Sequence, residues 1–250
     1  MGFLDMWLSS LKYFTKFIVG NDNEMPFIPL NSTIPGVALG VWKIEEPEIF
    51  FLERVKLYEN EWLRLSEISH PQKRLEWLSS RLCMKELLKI TNNVRVESLN
   101  NTNGKPYLTN NPHYISYTHS NFYSAAIASR SFEVGIDIEY LKHKRNLRTR
   151  FLFMNDRELA FFDATPEFEL FLLIWSAKET IYKLYGQGVA FKNNILIDLD
   201  NFVFGKQGIL PVVVDKGDHR REFEIHFIIH DEFLLTYGHD LLPKEEPVRQ

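Results

Sequence analysis

The chain has 250 residues, 45% of them hydrophobic, a formal net charge of -4 and a single cysteine, Cys83. That length allows one large domain or two small ones with a filled core. The slightly acidic balance excludes the basic footprint of a bulk nucleic-acid binder, and one thiol excludes both an intrachain disulfide and a zinc site built from several cysteines. A reducing, cytoplasmic setting is the simplest expectation.

Residues 1–24 read as an N-terminal extension. Leu4, Trp7, Leu8, Leu11, Phe14, Phe17 and Ile18 make an apolar face interrupted by Asp5, Lys12 and Lys16. No continuous apolar run of about 20 residues is present, so no transmembrane segment is expected. The start lacks a basic region ahead of its apolar part, against a signal peptide, and Met6 stands where a myristoylation pattern after Gly2 needs Ser or Thr. The face is that of an amphipathic helix packed on its own domain, with docking on a membrane or partner as the alternative.

Residues 25–133 form the first α+β half. Prolines from Pro26 onward lead into a strand around Val37–Ile44, and a helical stretch is expected over Phe50–Leu65. Pro71 opens a second helix whose Leu75, Leu78, Leu82 and Leu87 make an apolar stripe. Its Lys73, Arg74, Arg81 and Lys85 lie on the other faces, either as solvated surface or as phosphate ligands. Asn100-Asn101-Thr102-Asn103-Gly104-Lys105-Pro106 is a turn cluster. Three β runs follow, Tyr114–His119, Tyr123–Ser129 and Val134–Glu139, with links short enough for two hairpins and one small antiparallel sheet. His119, at a strand end beside Ser120, is placed to meet a ligand phosphate.

In Gly135-Ile136-Asp137-Ile138-Glu139 the period of 2 puts Asp137 and Glu139 on one face and the isoleucines on the other. Two carboxylates so close need either full solvation or a cation. Residues 134–250 form the second half. A basic connector holds Lys142, His143, Lys144, Arg145, Arg148 and Arg150, and a helix is expected at Arg157–Phe162. A long helix then runs to Gly186, with Thr165 as cap and Pro166 in its first turn. Ile174, Ala177, Ile181 and Leu184 face a core, while Glu179 and Lys183, four apart, share another face. Glu179 adds a third oxygen ligand to Asp137 and Glu139, a set that suits a hard cation such as Mg²⁺. Strands are expected at Ile195–Leu199, Leu210–Val214, Phe223–Ile229 and Phe233–Tyr237. The tail Leu242–Gln250 reads as loose.

Gly135-Ile136-Asp137-Ile138-Glu139, followed by Trp175-Ser176-Ala177-Lys178-Glu179-Thr180-Ile181-Tyr182-Lys183, resembles the paired signature of the 4'-phosphopantetheinyl transferase superfamily. The length resembles the monomeric two-half type. Gly104-Lys105-Pro106 and Ile115-Ser116-Tyr117-Thr118-His119-Ser120 stand in the matching order, and the likeness spans roughly residues 26–240. Residues 1–24 have no counterpart in it. Two positions depart from the family pattern: Asn100, basic in some relatives, and the Ser-Tyr-Thr-His run before Ser120.

The resemblance implies an α+β fold of two similar halves related by a pseudo-twofold, each a small antiparallel sheet packed by a long helix, with the active site in the cleft between them. It implies Mg²⁺-dependent transfer of the phosphopantetheine arm of coenzyme A to a serine of an apo acyl or peptidyl carrier protein, releasing adenosine 3',5'-bisphosphate. By position, Asp137, Glu139 and Glu179 would hold Mg²⁺, and Lys183 would stand near the scissile pyrophosphate. Lys105 and His119 would contact the nucleotide, and Arg64 and Arg81 the 3'-phosphate. The base for the serine is Glu179 or a metal-bound water. A Mg²⁺-dependent phosphohydrolase or nucleotidyl transferase, and a non-catalytic coenzyme A or carrier-protein binder, are the competing readings.

Overall fold

Runs of alternating apolar residues become eleven strands in the structure, a computed structural model that describes residues 26–91, 94–143, 145–186 and 188–240. The expectations for the N-terminal extension, for Lys144 and for the tail lie outside the described residues. The chain runs β1 (Phe27–Leu30), β2 (Val37–Lys43), α1 (Glu48–Arg54), α2 (Glu59–Ser66), α3 (Pro71–Leu87), β3 (Ser98–Asn100), β4 (Pro106–Leu108), β5 (Tyr114–Ser120) and β6 (Tyr123–Ser129). It continues through β7 (Val134–Tyr140), a 3-10 turn (Leu147–Thr149), α4 (Arg150–Phe153), α5 (Asp156–Ala164), α6 (Phe168–Tyr185), β8 (Ile195–Ile197), β9 (Gln207–Asp215), β10 (Arg220–Ile229) and β11 (Phe233–His239). Two antiparallel sheets result, in the orders β1-β2-β6-β5-β4-β3 and β7-β11-β10-β9-β8. The fold is α+β with two sheets, as expected. Among the described residues no helix is long and apolar enough to cross a membrane.

Three apolar cores stack these layers. Helix α3 lies on β2, β5 and β6 over Trp42, Phe51, Leu78, Leu82, Ala126 and Ala128. The sheets face each other through Leu39, Val41, Ala125, Ile127, Ile136 and Ile138. Helix α6 covers the second sheet with Ile174, Ala177 and Ile181 against Ile225. Strand β6, covered on both sides, is buried throughout. Its alternation assigns Ala126 and Ala128 to the helix side and Ala125 and Ile127 to the sheet side. Each large apolar side chain removed from water here contributes about 1.5–3 kcal/mol.

Strand β7 decides where the chemistry goes. Ile136 and Ile138 enter the core between the sheets, so Gly135, Asp137 and Glu139 face α6. A Cβ at Gly135 would stand 2.6 Å from the Thr180 carbonyl oxygen. Glycine therefore lets the helix press against the strand that carries the carboxylates.

Three expectations need correction. The stretch Phe50–Leu65 is two helices: Val55 and Leu57 turn inward as core residues, and Glu61 accepts from the Tyr58 N–H to start α2 afresh. Residues 130–133 do not close a second hairpin; they carry the chain between sheets, and β7 pairs with β11. The long helix opens at Phe168 instead of after Thr165, whose N–H closes the preceding helix on the Phe162 carbonyl. Lys183, which shares a helix face with Glu179, crosses to Asp137. Gly186 does stop α6, at φ 100°, and Gly104 turns the β3–β4 hairpin at φ 78°.

Candidate active site

Where β7 runs beneath α6, Asp137 lies near enough to both Glu139 and Glu179 for its charge to act on them. Asp137 is 5% exposed. It accepts hydrogen bonds from Thr118 Oγ1 at 3.0 Å, Ser176 Oγ at 2.8 Å and Lys183 Nζ at 2.7 Å. Thr236 on β11 steadies this arrangement, with its hydroxyl 2.8 Å from that of Ser176 and 2.6 Å from that of Thr180. Glu139, equally buried, accepts two bonds from Arg145 Nη2 at 2.7 and 2.8 Å, and another from the Trp175 indole. Glu179 forms no ion pair or side-chain hydrogen bond with the described residues.

Burial, followed by the negative charge of Asp137, pushes the Glu139 carboxyl up to about 7, against the opposing pull of Arg145, Trp175 and Lys183. The same two causes raise Glu179 above the ordinary carboxylate range, with Lys183 and Arg145 opposing. Carboxyls raised by a neighbouring negative charge attract a positive one. Among the described residues no three His, Cys, Asp or Glu side chains close into a metal-holding group in this arrangement. By its chemistry the donor set, two carboxylates on a strand and one on a helix, suits a hard divalent cation, and Glu179 has no ion-pair or hydrogen-bond partner among the described residues.

A cleft of about 460 Å³ opens beside this cluster, with walls from the first half and from the end of α6. It brings together Arg64, Arg81, Lys105, His119 and Lys183. Arg81 stacks its guanidinium 3.3 Å over the Trp77 ring and donates to the Trp77 carbonyl and the Tyr117 hydroxyl. Burial lowers its pKa, and its Nε has no hydrogen-bond partner among the described residues. Lys105 donates to the Leu184 carbonyl at 3.1 Å and pairs with Glu133. His119 holds Nδ1 2.9 Å from the fully buried Glu76 carboxylate, which Lys73 also approaches at 2.6 Å. Arg64 differs from the rest, being exposed at the rim and paired with Glu67 on its own helix at 2.7 Å.

Several supporting residues escaped the sequence reading. Thr118, Ser176, Arg145 and Trp175 all touch a carboxylate of the cluster, and Trp77 and Tyr117 aim Arg81. The hydroxyl of Ser176, one turn before Thr180 on the buried side of α6, was the signal available. Lys178 is a structural cation: it has no exposed side-chain surface, pairs with Glu158 at 2.8 Å and donates to the Phe191 and Ile195 carbonyls.

Residues 133–237, which include the whole carboxylate cluster and Lys183, match the family model described as the 4'-phosphopantetheinyl transferase superfamily. A protein of Synechocystis sp. whose name provisionally makes it a 4'-phosphopantetheinyl transferase is 27% identical over 172 residues, covering 65% of this chain and 68% of that protein.

Proposed function

We propose, from the match of residues 133–237 to the 4'-phosphopantetheinyl transferase superfamily model, that the chain moves the phosphopantetheine arm of coenzyme A onto a serine of an apo carrier protein. The observation that supports this reading is the place of Lys183. Its ammonium lines the cleft and at the same time bonds to Asp137, so a pyrophosphate in the cleft would lie against the carboxylate cluster.

In the proposed reaction the serine Oγ forms a bond to the phosphorus that carries pantetheine. The bond from that phosphorus to the bridging oxygen breaks, and adenosine 3',5'-bisphosphate departs with the electron pair. Asp137, Glu139 and Glu179 would hold Mg²⁺, which when bound neutralises the pyrophosphate oxygens. Lys183 stabilises the oxygen that leaves. Glu179, whose carboxyl is raised by burial and by Asp137, takes the proton of the serine hydroxyl. Arg81, rigid between two aromatic rings, would meet the 3'-phosphate through the part of its guanidinium that lines the cleft. Lys105 and His119 contact the rest of the nucleotide, and Arg64 guards the rim. The acidic carrier and coenzyme A are the partners, the chain acts as a monomer, and its setting is the cytoplasm.

Incubation with coenzyme A, Mg²⁺ and a panel of apo acyl and peptidyl carriers, followed by intact-mass measurement, tests the reading. A mass gain of one phosphopantetheine on a carrier is expected. Nucleotide turnover without any carrier modification would mark a phosphohydrolase or nucleotidyl transferase instead, and coenzyme A binding without product a non-catalytic relative.

A further inference from the structure

Glu139 is gripped by a cation that the proposed reaction does not use. Strand β7 ends at Tyr140, whose N–H is fixed on Ser120 Oγ. A tight turn, with the His143 N–H on the Tyr140 carbonyl, sends the chain back. The Asn146 side chain then caps the 3-10 turn by accepting from the Arg148 N–H at 3.0 Å. Between these two fixed points Arg145 reaches back over six residues, places Nη2 on both Glu139 oxygens and rests its guanidinium 5.3 Å from the Trp175 ring. Its side chain is 33% exposed, so it has a route outward into water.

Charge decides what must happen when a divalent cation arrives. Asp137, Glu139 and Glu179 face Lys183 and Arg145, which leaves one negative charge uncompensated. A divalent cation added while both chain cations stay makes the cluster positive. Exchanging Arg145 for it leaves the cluster neutral. Lys183 is the less free of the two, being tied to the Ile136 carbonyl as well as to Asp137 from the last turn of a packed helix. Arg145 stands on a connector and, among the described residues, has Glu139 and Trp175 to leave.

We propose that Arg145 is a built-in competitor for the divalent cation at Glu139: the cation binds by displacing the guanidinium, and Arg145 thereby weakens metal affinity and couples metal loading to the connector after β7. The inference rests on the assignment of Asp137, Glu139 and Glu179 as metal ligands. It is tested on the full chain without coenzyme A by Mn²⁺ titration, reading free ion by electron paramagnetic resonance. Arg145→Gln is expected to bind Mn²⁺ about five- to tenfold tighter than the wild type, the scale of one partly exposed bidentate ion pair, with Arg145→Lys in between. Arg148→Gln removes the same charge three residues away and is expected to leave the affinity unchanged. Unchanged or weaker binding by Arg145→Gln, or equal tightening by Arg148→Gln, overturns the proposal while leaving the metal site intact. No Mn²⁺ uptake by the wild type, or wild-type uptake by Glu179→Gln, means the ligand assignment itself is wrong, and the proposal falls with it.

Discussion

In the proposed reaction Glu179 would carry chemistry at the expense of stability. Half-buried, unpartnered and facing Asp137, its ionised form is disfavoured in the folded chain. Glu179→Gln removes that repulsion and is expected to raise unfolding stability in EDTA by a few tenths to about 1 kcal/mol, while transfer falls by about 100-fold or more. Denaturant unfolding beside the carrier-modification assay measures both; a variant less stable than the wild type would show that Glu179 has a partner in the fold. Asp137, Glu139, Glu179 and Lys183 were legible in the sequence because a period of 2 and a spacing of four each fix a face. Their partners were not. Thr118 lies 19 residues from Asp137 and Ser176 lies 39 away, so those contacts exist only once β5, β7 and α6 have packed.

Among the elements, α6 has a structural half and a chemical half that adjoin within one turn. Lys178 and Glu179 are neighbours in sequence and point to different worlds, the first into the core with Glu158 and the second toward Asp137. Glu158 is committed to several groups, also accepting from the Asn155 and Ile197 N–H groups. Lys178→Met strands that carboxylate without its cation and is expected to destabilise the fold by about 3–5 kcal/mol. Activity per folded molecule, measured well below the melting transition, should stay close to that of the wild type; a large loss there would move Lys178 into the chemistry. The helices α3 and α6 were readable from their stripes, and β6 from its bounds. The break between α1 and α2 was hidden because Val55 and Leu57 are as compatible with a helix as with the extended core segment they form. The route of β7 was hidden because a short link does not say which edge the next strand will join.

For the molecule as a whole, one carboxylate near the end of the chain ties the two sheets together. Glu232, between β10 and β11, accepts from Lys142 at 2.6 Å and from the Tyr123 hydroxyl on β6, and its carbonyl receives the Leu141 N–H. The hydrogen bonds from Lys142 and Tyr123 hold its carboxyl down at about 2, against an ordinary value of 4.5. A depressed carboxyl stabilises the fold above its unfolded-state value and loses that contribution as the pH falls toward about 2. Glu232→Gln should therefore show a shallower fall in urea midpoint between about pH 5 and 2.5 than the wild type, with a lower plateau at neutral pH. Equal slopes would mean that the tie is not formed in solution.

The strands of the first sheet all precede residue 130 and those of the second all follow residue 133, so the polypeptide passes from one sheet to the other a single time. On a ribosome, this order lets the first layer and its α3 assemble before the second layer has been translated. During that interval Leu39, Val41, Ala125 and Ile127 present an apolar plate to water, since their cover arrives only with β7 and β11. The nascent half-chain is thus the form most in need of a chaperone, and the strand that ends its exposure is the one bearing Asp137 and Glu139.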